Sequence, residues 1–233
     1  MSIFSIAGST PSDTGYELKS ARFNDDDSAF LSKKYETSGN RRTCTYSCWV
    51  KRSEIGQQND GLLSCDFGVT CGSIGFVGTG GAVLQMTDLT FSGGSYQTRV
   101  ASTPIYRDPA AWYHIVVKYD TTQPISSDRV KLYVNGEQVD RFSQTTYPAQ
   151  DYEGNINYGN GSRLTGIGKQ TGTNDYYDGY ISESYFIDGT AHDANTFGQT
   201  DALTGQWKPK DPADIKAAVT FGNNGFYLPF SAD

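Results

Sequence analysis

Two loops hold most of the side chains in this chain that could recognise a ligand. Residues 145–161 read TTYPAQDYEGNINYGNG, and residues 170–177 form a second polar stretch, so that Tyr147, Tyr152, Tyr158, Tyr176 and Tyr177 stand among Asn, Asp and Gly. Tyr joins an apolar ring to a hydroxyl, and Gly and Asn let the backbone adapt, which is the composition of a paratope. Such rings stack on sugar faces while Asn and Asp accept bonds from hydroxyls. The candidate ligand-binding residues are Tyr152, Tyr158, Asn174, Asp175, Tyr176 and Asp178. The same composition also suits contacts between subunits, or plain strand connections.

Hydrolytic chemistry finds less support. A retaining glycosidase needs two carboxyl groups about 5 Å apart, one as acid and one as nucleophile. Six Glu occur and no two share a strand-like segment. Glu183 is the carboxylate to be weighed for a catalytic role, and His114, in mid-strand, reads as a packed ring. No Ser-His-Asp order is identifiable, and the Gly-rich residues 78–81 lack the Lys-Ser/Thr of a phosphate loop. No catalytic residue is expected.

Metal and redox chemistry are equally thin. Asp25, Asp26 and Asp27 offer the oxygens that Ca²⁺ takes, but alternate strand side chains point apart and the run reads as a polar turn. No metal or cofactor is expected, Ca²⁺ being compatible with the residues but unsupported. Cys44 and Cys48 fall on one strand face about 13 Å apart, beyond the roughly 7 Å that a disulfide spans. Cys65 and Cys71 flank DFGVT and could approach. Thiols are expected, with a Cys65–Cys71 bridge as the exception left open. The spacings fit no zinc pattern.

Those residues need a scaffold, and the chain declares one at residues 112–142. From 112 to 120 the sequence alternates, with Tyr113, Ile115, Val117 and Tyr119 on one side and Trp112, His114, Val116 and Lys118 on the other. That is the period of a β-strand. The alternation resumes from 129 to 134 and stops at Asn135-Gly136, a type I′ hairpin signal. Further strands are expected at 16–23, 29–31, 43–53, 62–63, 74–77, 83–86, 96–100 and 226–230. Residues 193–197 read as a helical turn, and Trp207 as a docking residue.

An aromatic-led strand, a loop, then a strand ending in Asn-Gly resembles the laminin-G-like branch of the concanavalin-type sandwiches. The segment YDGYISESYFI at 177–187 is similar to the strand that follows the hairpin there, and the resemblance makes Glu183 within it a structural position. FNDDDSAFLSK, SGNRRTCTYSCWVKRS, GQWKPK and NGFYLPFS resemble one subgroup, found in virion proteins of bacteriophages and large algal viruses. The resemblance implies an all-β fold, a two-sheet antiparallel concanavalin-like (jelly-roll) β-sandwich. Residues 1–15, rich in turn formers and without periodicity, read as an extended arm, and 16–233 as a single laminin-G-like domain. The resemblance also places both Tyr-rich loops beside the strand that begins at Tyr177, so that they converge on one rim.

The function implied is that of a non-enzymatic virion surface protein, a fibre or capsid decoration, that binds host-surface glycans. The alternatives are a structural decoration without glycan binding, or a sandwich glycosidase. Expected partners are other virion proteins and host-cell glycans, with many copies or a homo-oligomer on the particle. Composition agrees. The 233 residues include 26 Gly, 16 Tyr and 12 Phe, and the net charge is −7. An acidic surface repels phosphate backbones, so no nucleic-acid partner is expected. No run approaches 18 apolar residues, so no membrane span is expected, and residues 1–15 lack the features of a secretion signal. The basic cluster Lys33-Lys34 with Arg41-Arg42 reads as a guarded strand edge.

Overall fold

The alternation at 112–120 becomes a central strand, and the rest of one sheet is laid out around it. The structure is a computed structural model that describes residues 18–55, 59–66, 70–78, 82–90, 95–170 and 175–231. The expected arm at 1–15 and Asn174 lie outside the described residues. Strands β1 to β6 are Ser20–Phe23, Leu31–Lys34, Thr43–Arg52, Asn59–Asp66, Thr70–Val77 and Val83–Thr90. Strands β7 to β12 are Ser95–Ile105, Tyr113–Asp120, Val130–Val134, Glu137–Gln138, Phe142–Thr146 and Leu164–Ile167. Strands β13 to β18 are Lys169–Gln170, Asp175–Tyr176, Gly179–Asp188, Gly198–Thr200, Trp207–Pro209 and Phe226–Leu228. The helix α1 spans Pro212–Ala218, started by Asp211, whose side chain accepts from the Ala213 amide, and by Pro212.

Two seven-stranded antiparallel sheets face each other. The first runs β1-β15-β3-β8-β9-β10, with β18 added on β15, and the second runs β11-β7-β6-β5-β4-β12-β2. The hairpin is as the sequence foretold, with Asn135 and Gly136 at φ of 51° and 84°. Asn135 also receives the His114 amide on its side-chain oxygen at 2.8 Å. Strands β1 and β18 lie end to end on one edge of β15, pairing with Gly179 to Ser182 and with Ser184 to Phe186. Edge strand β2 carries exposed Lys33 and Lys34, so the basic pair guards an edge, while Arg41 and Arg42 bond Glu153.

Between the sheets, Tyr46, Val50, Leu63, Ile74, Phe76, Met86, Val100, Ile115, Val117 and Ile181 form the main core. A second core lies on the outer face of the first sheet. There Val116, Tyr185 and Ile187 meet Phe197, Ile215 and Val219 from the C-terminal segment. Burying Val116, Ile187, Phe197 and Ile215 contributes on the order of 6 kcal/mol even at the low end of the usual scale. That rivals the net stability of many domains. The first sheet is therefore covered on both faces, which its Ser, Lys and His residues concealed.

The register also decides the cysteines. Cys65 lies opposite Gly72 and Cys71 opposite Asp66, so the two side chains leave opposite faces of the sheet. The bridge left open by the sequence does not form. All four cysteines are buried thiols.

Candidate functional site

The first Tyr-rich loop is fastened to the interior through Asp88. This carboxylate, fully buried on β6, accepts bonds from the Asn155 amide at 2.6 Å, from Asn155 Nδ2 at 2.5 Å and from the Tyr152 hydroxyl at 3.1 Å. Burial pushes the Asp88 carboxyl up, against the pull of those donors. Tyr158 is held between the Arg41 and Arg163 guanidinium groups, 4.6 and 3.8 Å from its ring centre. Asn157 Nδ2 donates to Asp188 Oδ1 at 2.6 Å. The Tyr152 hydroxyl thus braces a connection from beneath, while the half-buried Tyr158 ring is stacked against two guanidinium groups.

The second group has a different setting. Tyr176 on β14 pairs with Lys169 on β13, and the Lys169 ammonium lies 4.7 Å from the Tyr176 ring centre and 5.0 Å from that of Phe30. It also donates to the Tyr176 hydroxyl at 3.2 Å, and this bond, helped by Ser28, draws the phenol below its ordinary range. The two rings are 6.0 Å apart and half-buried. Asp175 precedes Tyr176 on the same short strand. Asp178 follows, paired with Arg22 at 2.7 Å.

The expected convergence on one rim does not occur. Asn157 is bonded to Asp188, the last residue of β15, whereas Asp178 immediately precedes Gly179, its first. Ten extended residues separate the two, roughly 30 Å at about 3.3 Å each. Between the loops the chain crosses the sandwich as β12, then turns at Gly168. Of the six candidates, the structure gathers Asp175, Tyr176 and Asp178 at one end and sends Tyr152 and Tyr158 to the other.

At the Asp178 end a turn joins the pieces. Residues 24–28 reverse the chain through Ser28 to Asp25 and Ala29 to Asn24 backbone bonds, placing Ser28 against Tyr176 and Asp25 against Asp178. Carboxylate oxygens of Asp25, Glu54 and Asp178 lie within 4.8 Å of one another. Burial raises the Asp178 carboxyl, Arg22 lowers it, and Asp25 and Glu54 raise it again. Three carboxylates at this spacing have the chemistry to hold a hard cation, and Arg22 already supplies one positive charge among them. Nearby, burial lifts Asp60 to about 7 against its buried partner Arg52.

Neither hydrolytic candidate is placed to act. Glu183 is 2 % exposed, and its carboxylate accepts from the Tyr185 hydroxyl at 3.0 Å and the Tyr227 hydroxyl at 2.9 Å. It sits at a bulge in the β15–β3 ladder with φ of 49°, a local distortion that turns it toward the C-terminal segment. His114 is fully buried, and burial lowers its imidazole to about 3. Sequence reasoning missed Phe30, Lys169, Arg22 and Glu54 as members of one cluster. Their association depends on strand pairing across the whole chain, for which no local signal exists.

Residues 23–196 match a laminin-G family model described as the concanavalin A-like lectin/glucanases superfamily. No curated protein sequence matches the chain. Among solved structures, the heptameric SAP-like pentraxin of Limulus polyphemus is 16 % identical over 70 % of each chain, with a TM-score of 0.46. The enzymatically active domain of tailspike protein 2 from bacteriophage CBA120 is 11 % identical, with a TM-score of 0.49. The match covers 76 % of this chain and 26 % of that one, so this chain spans about a quarter of the tailspike domain. The sialidase module CBM40 of Ruminococcus gnavus is 16 % identical over 71 % of this chain and 95 % of its own, with a TM-score of 0.48. With its two facing antiparallel sheets, and with three quarters of its length matched by the family model, the chain belongs to the concanavalin A-like lectin/glucanases superfamily.

Proposed function

We propose that this protein is a non-enzymatic, lectin-like module displayed in many copies on a virion, as a fibre or capsid decoration, where it binds host-surface glycans and contacts other virion proteins. The observation that carries glycan binding is the half-buried Phe30–Tyr176 pair at the end of a lectin-type sandwich, with Lys169, Asp175, Asp178 and Arg22 around it. Rings of this kind cover the apolar face of a sugar while the ionised groups meet its hydroxyls. Weak single sites gain avidity from many copies on one particle. The inward bonding of Glu183 and His114 supports the non-enzymatic reading. The virion setting draws support from the resemblance of the segments around Phe23, Trp207 and Phe226.

One observation favours the structural alternative. Leu203 is 97 % exposed at the tip of the β16–β17 hairpin, and Asp201 fixes that tip by accepting from the Leu203 and Thr204 amides, each at 2.9 Å. A rigid, fully presented Leu suits insertion into a neighbouring subunit. Host-cell adsorption and particle assembly, measured in parallel for Phe30→Ala with Tyr176→Ala and for Leu203→Ser, separate the readings. Adsorption lost in the ring variant with assembly intact is the expected result. Adsorption unchanged in that variant, with assembly lost in Leu203→Ser, makes the structural reading the correct one.

A further inference from the structure

One row of the main core runs off the side of the molecule. Val100, Met86, Ile74, Leu63, Ile167 and Leu31 stand abreast on β7, β6, β5, β4, β12 and β2. The first five are 5 % exposed or less, whereas Leu31 is 43 % exposed. Residues paired directly across strands share a face of the sheet, so Leu31 ends an interior row at the surface. Its strand is the outermost of the second sheet, and among the described residues no strand pairs with its free side. All four residues of β2 are exposed. The other sheet edges are less open to pairing. The register of β11 is irregular between Phe142 and Gln144, β10 has two residues, and β1 and β18 are separate short pieces on β15. Irregularity and shortness both stop an edge from pairing further. In contrast, β2 keeps an unbroken register with β12 over all four residues.

We infer that the free edge of β2 is the docking site for an extended protein segment, which adds to the second sheet as an eighth strand and carries acidic residues opposite Lys33 and Lys34. Charge selects this occupant. Strands β2 and β12 hold two lysines and no carboxylate, on a chain of net charge −7. The Lys33 ammonium lies 5.7 Å from the Tyr35 ring centre, and neither lysine has a carboxylate partner among the described residues. Opposite charges facing each other across a strand pair stabilise it, and like charges oppose it. The lysines that guard this edge against a second β2 therefore leave it open to a strand bearing carboxylates. Alternation then fixes the sequence of the occupant. Leu31 and Lys33 point to one face of the sheet and Ser32 and Lys34 to the other, so an antiparallel occupant needs carboxylates on two successive residues, one for each face. A free position follows opposite Ser32, and then an apolar residue beside Leu31 that continues the core row. In this mode of recognition backbone bonds supply affinity and alternate side chains supply specificity. The assignment stands whether or not the Phe30–Tyr176 pair binds a glycan.

Short end-blocked peptides labelled with fluorescein test it, one with Glu-Glu-Thr-Val at its centre, one with Lys-Lys-Thr-Val, and one with the first set rearranged as Glu-Thr-Val-Glu. Binding to the full chain is read by anisotropy, and exchange of the amides of residues 31–34 is followed in the same mixtures. The Glu-Glu peptide should bind the wild type about tenfold more tightly than the Lys-Lys peptide, with the rearranged peptide weaker than the first, and the amides of residues 31–34 should exchange more slowly when it is bound. The preference should invert in the double variant Lys33→Glu with Lys34→Glu. In Lys33→Gln with Lys34→Gln, which serves where the charge reversal disturbs folding, the preference should vanish. Melting temperatures of the variants are checked against the wild type. Equally tight binding of the rearranged peptide, or binding that leaves the amides of residues 31–34 unchanged, overturns strand addition. No binding of the Glu-Glu peptide overturns the assignment, and so does a preference that survives the loss of both lysines. None of these outcomes bears on the glycan site, which the Phe30→Ala and Tyr176→Ala changes test by themselves.

Discussion

The Trp207 indole N–H donates to His114 Nδ1 at 2.9 Å. An indole nitrogen can only donate, so Nδ1 is the acceptor and the imidazole proton sits on Nε2. That nitrogen lies 2.9 Å from Ser47 Oγ and must therefore donate to the hydroxyl. A serine–histidine pair that resembles a nucleophile with its base has its proton on the wrong side for catalysis, because the histidine cannot accept from the serine. The Trp207–His114 bond is instead a clasp between the C-terminal segment and the first sheet, with Trp49 stacked on the same imidazole at 4.8 Å.

The clasp should be sensitive to acid. The ordinary imidazole value is 6.5 and burial brings His114 to about 3. Its contribution is whole above about 6.5 and is lost as pH falls toward 3, because the unfolded chain takes up a proton that the folded one refuses. The slope is about 1.4 kcal/mol per pH unit within that window. Denaturant titrations of the wild type and of His114→Gln between pH 7 and pH 4 should differ by that slope, while parallel curves would show that His114 is protonated in the fold. Trp207→Phe should cost about 1 to 3 kcal/mol at neutral pH by stranding Nδ1.

Glu183→Gln should lower stability and change nothing catalytic. Its two tyrosine donors would meet an amide with one accepting oxygen in place of a carboxylate, a loss of about 1 to 3 kcal/mol. Reducing-sugar assays on glucans should show no release by either protein. Release by the wild type, abolished in the variant, would make Glu183 a catalytic acid despite its burial.

Alkylation of the denatured protein without reductant should add four labels, one on each thiol. In the native protein labelling should be slow, since burial pushes Cys48 up to about 12 and Cys44 higher still. A mass showing two labels and a Cys65–Cys71 bridge would mean that the β4–β5 register is shifted by one residue.

Hydrogen exchange should be slowest in β8, which is paired on both sides and covered on both faces. Its amides and those of β9 are expected to open only with the whole sheet. Fast exchange at Ile115 to Tyr119 would contradict the second core.

What the sequence disclosed was whatever depends on neighbours in the chain. The alternation from Tyr113 to Tyr119, the Asn135-Gly136 turn, the shared face of Cys44 and Cys48 and the docking of Trp207 all follow from local period and residue type. The helix at Pro212–Ala218 was not among the expected elements, although a capping carboxylate before a proline marks its start. The candidate site was less legible. Tyr152 and Tyr176 belong to loops of similar composition, yet Asp88 waits beneath one and Phe30 beside the other, and neither partner lies near its loop in sequence. Glu183 at positive φ could not be foreseen, since the bulge arises from how β15 meets β3.

The placement of β1 against β15 bears on how the chain is made. Lys19 and Ser182, joined by a 2.5 Å bond, are 163 positions apart, so the ribosome releases the first strand long before it supplies a partner. Until then β3 also lacks β15 and presents Tyr46, Cys48 and Val50 beside an open edge. Contacts of such span slow folding and leave partly made chains prone to aggregation. The sheet must therefore be kept from other open strand edges during synthesis, and the last gap on β15 closes only when Phe226 to Leu228 leave the exit tunnel.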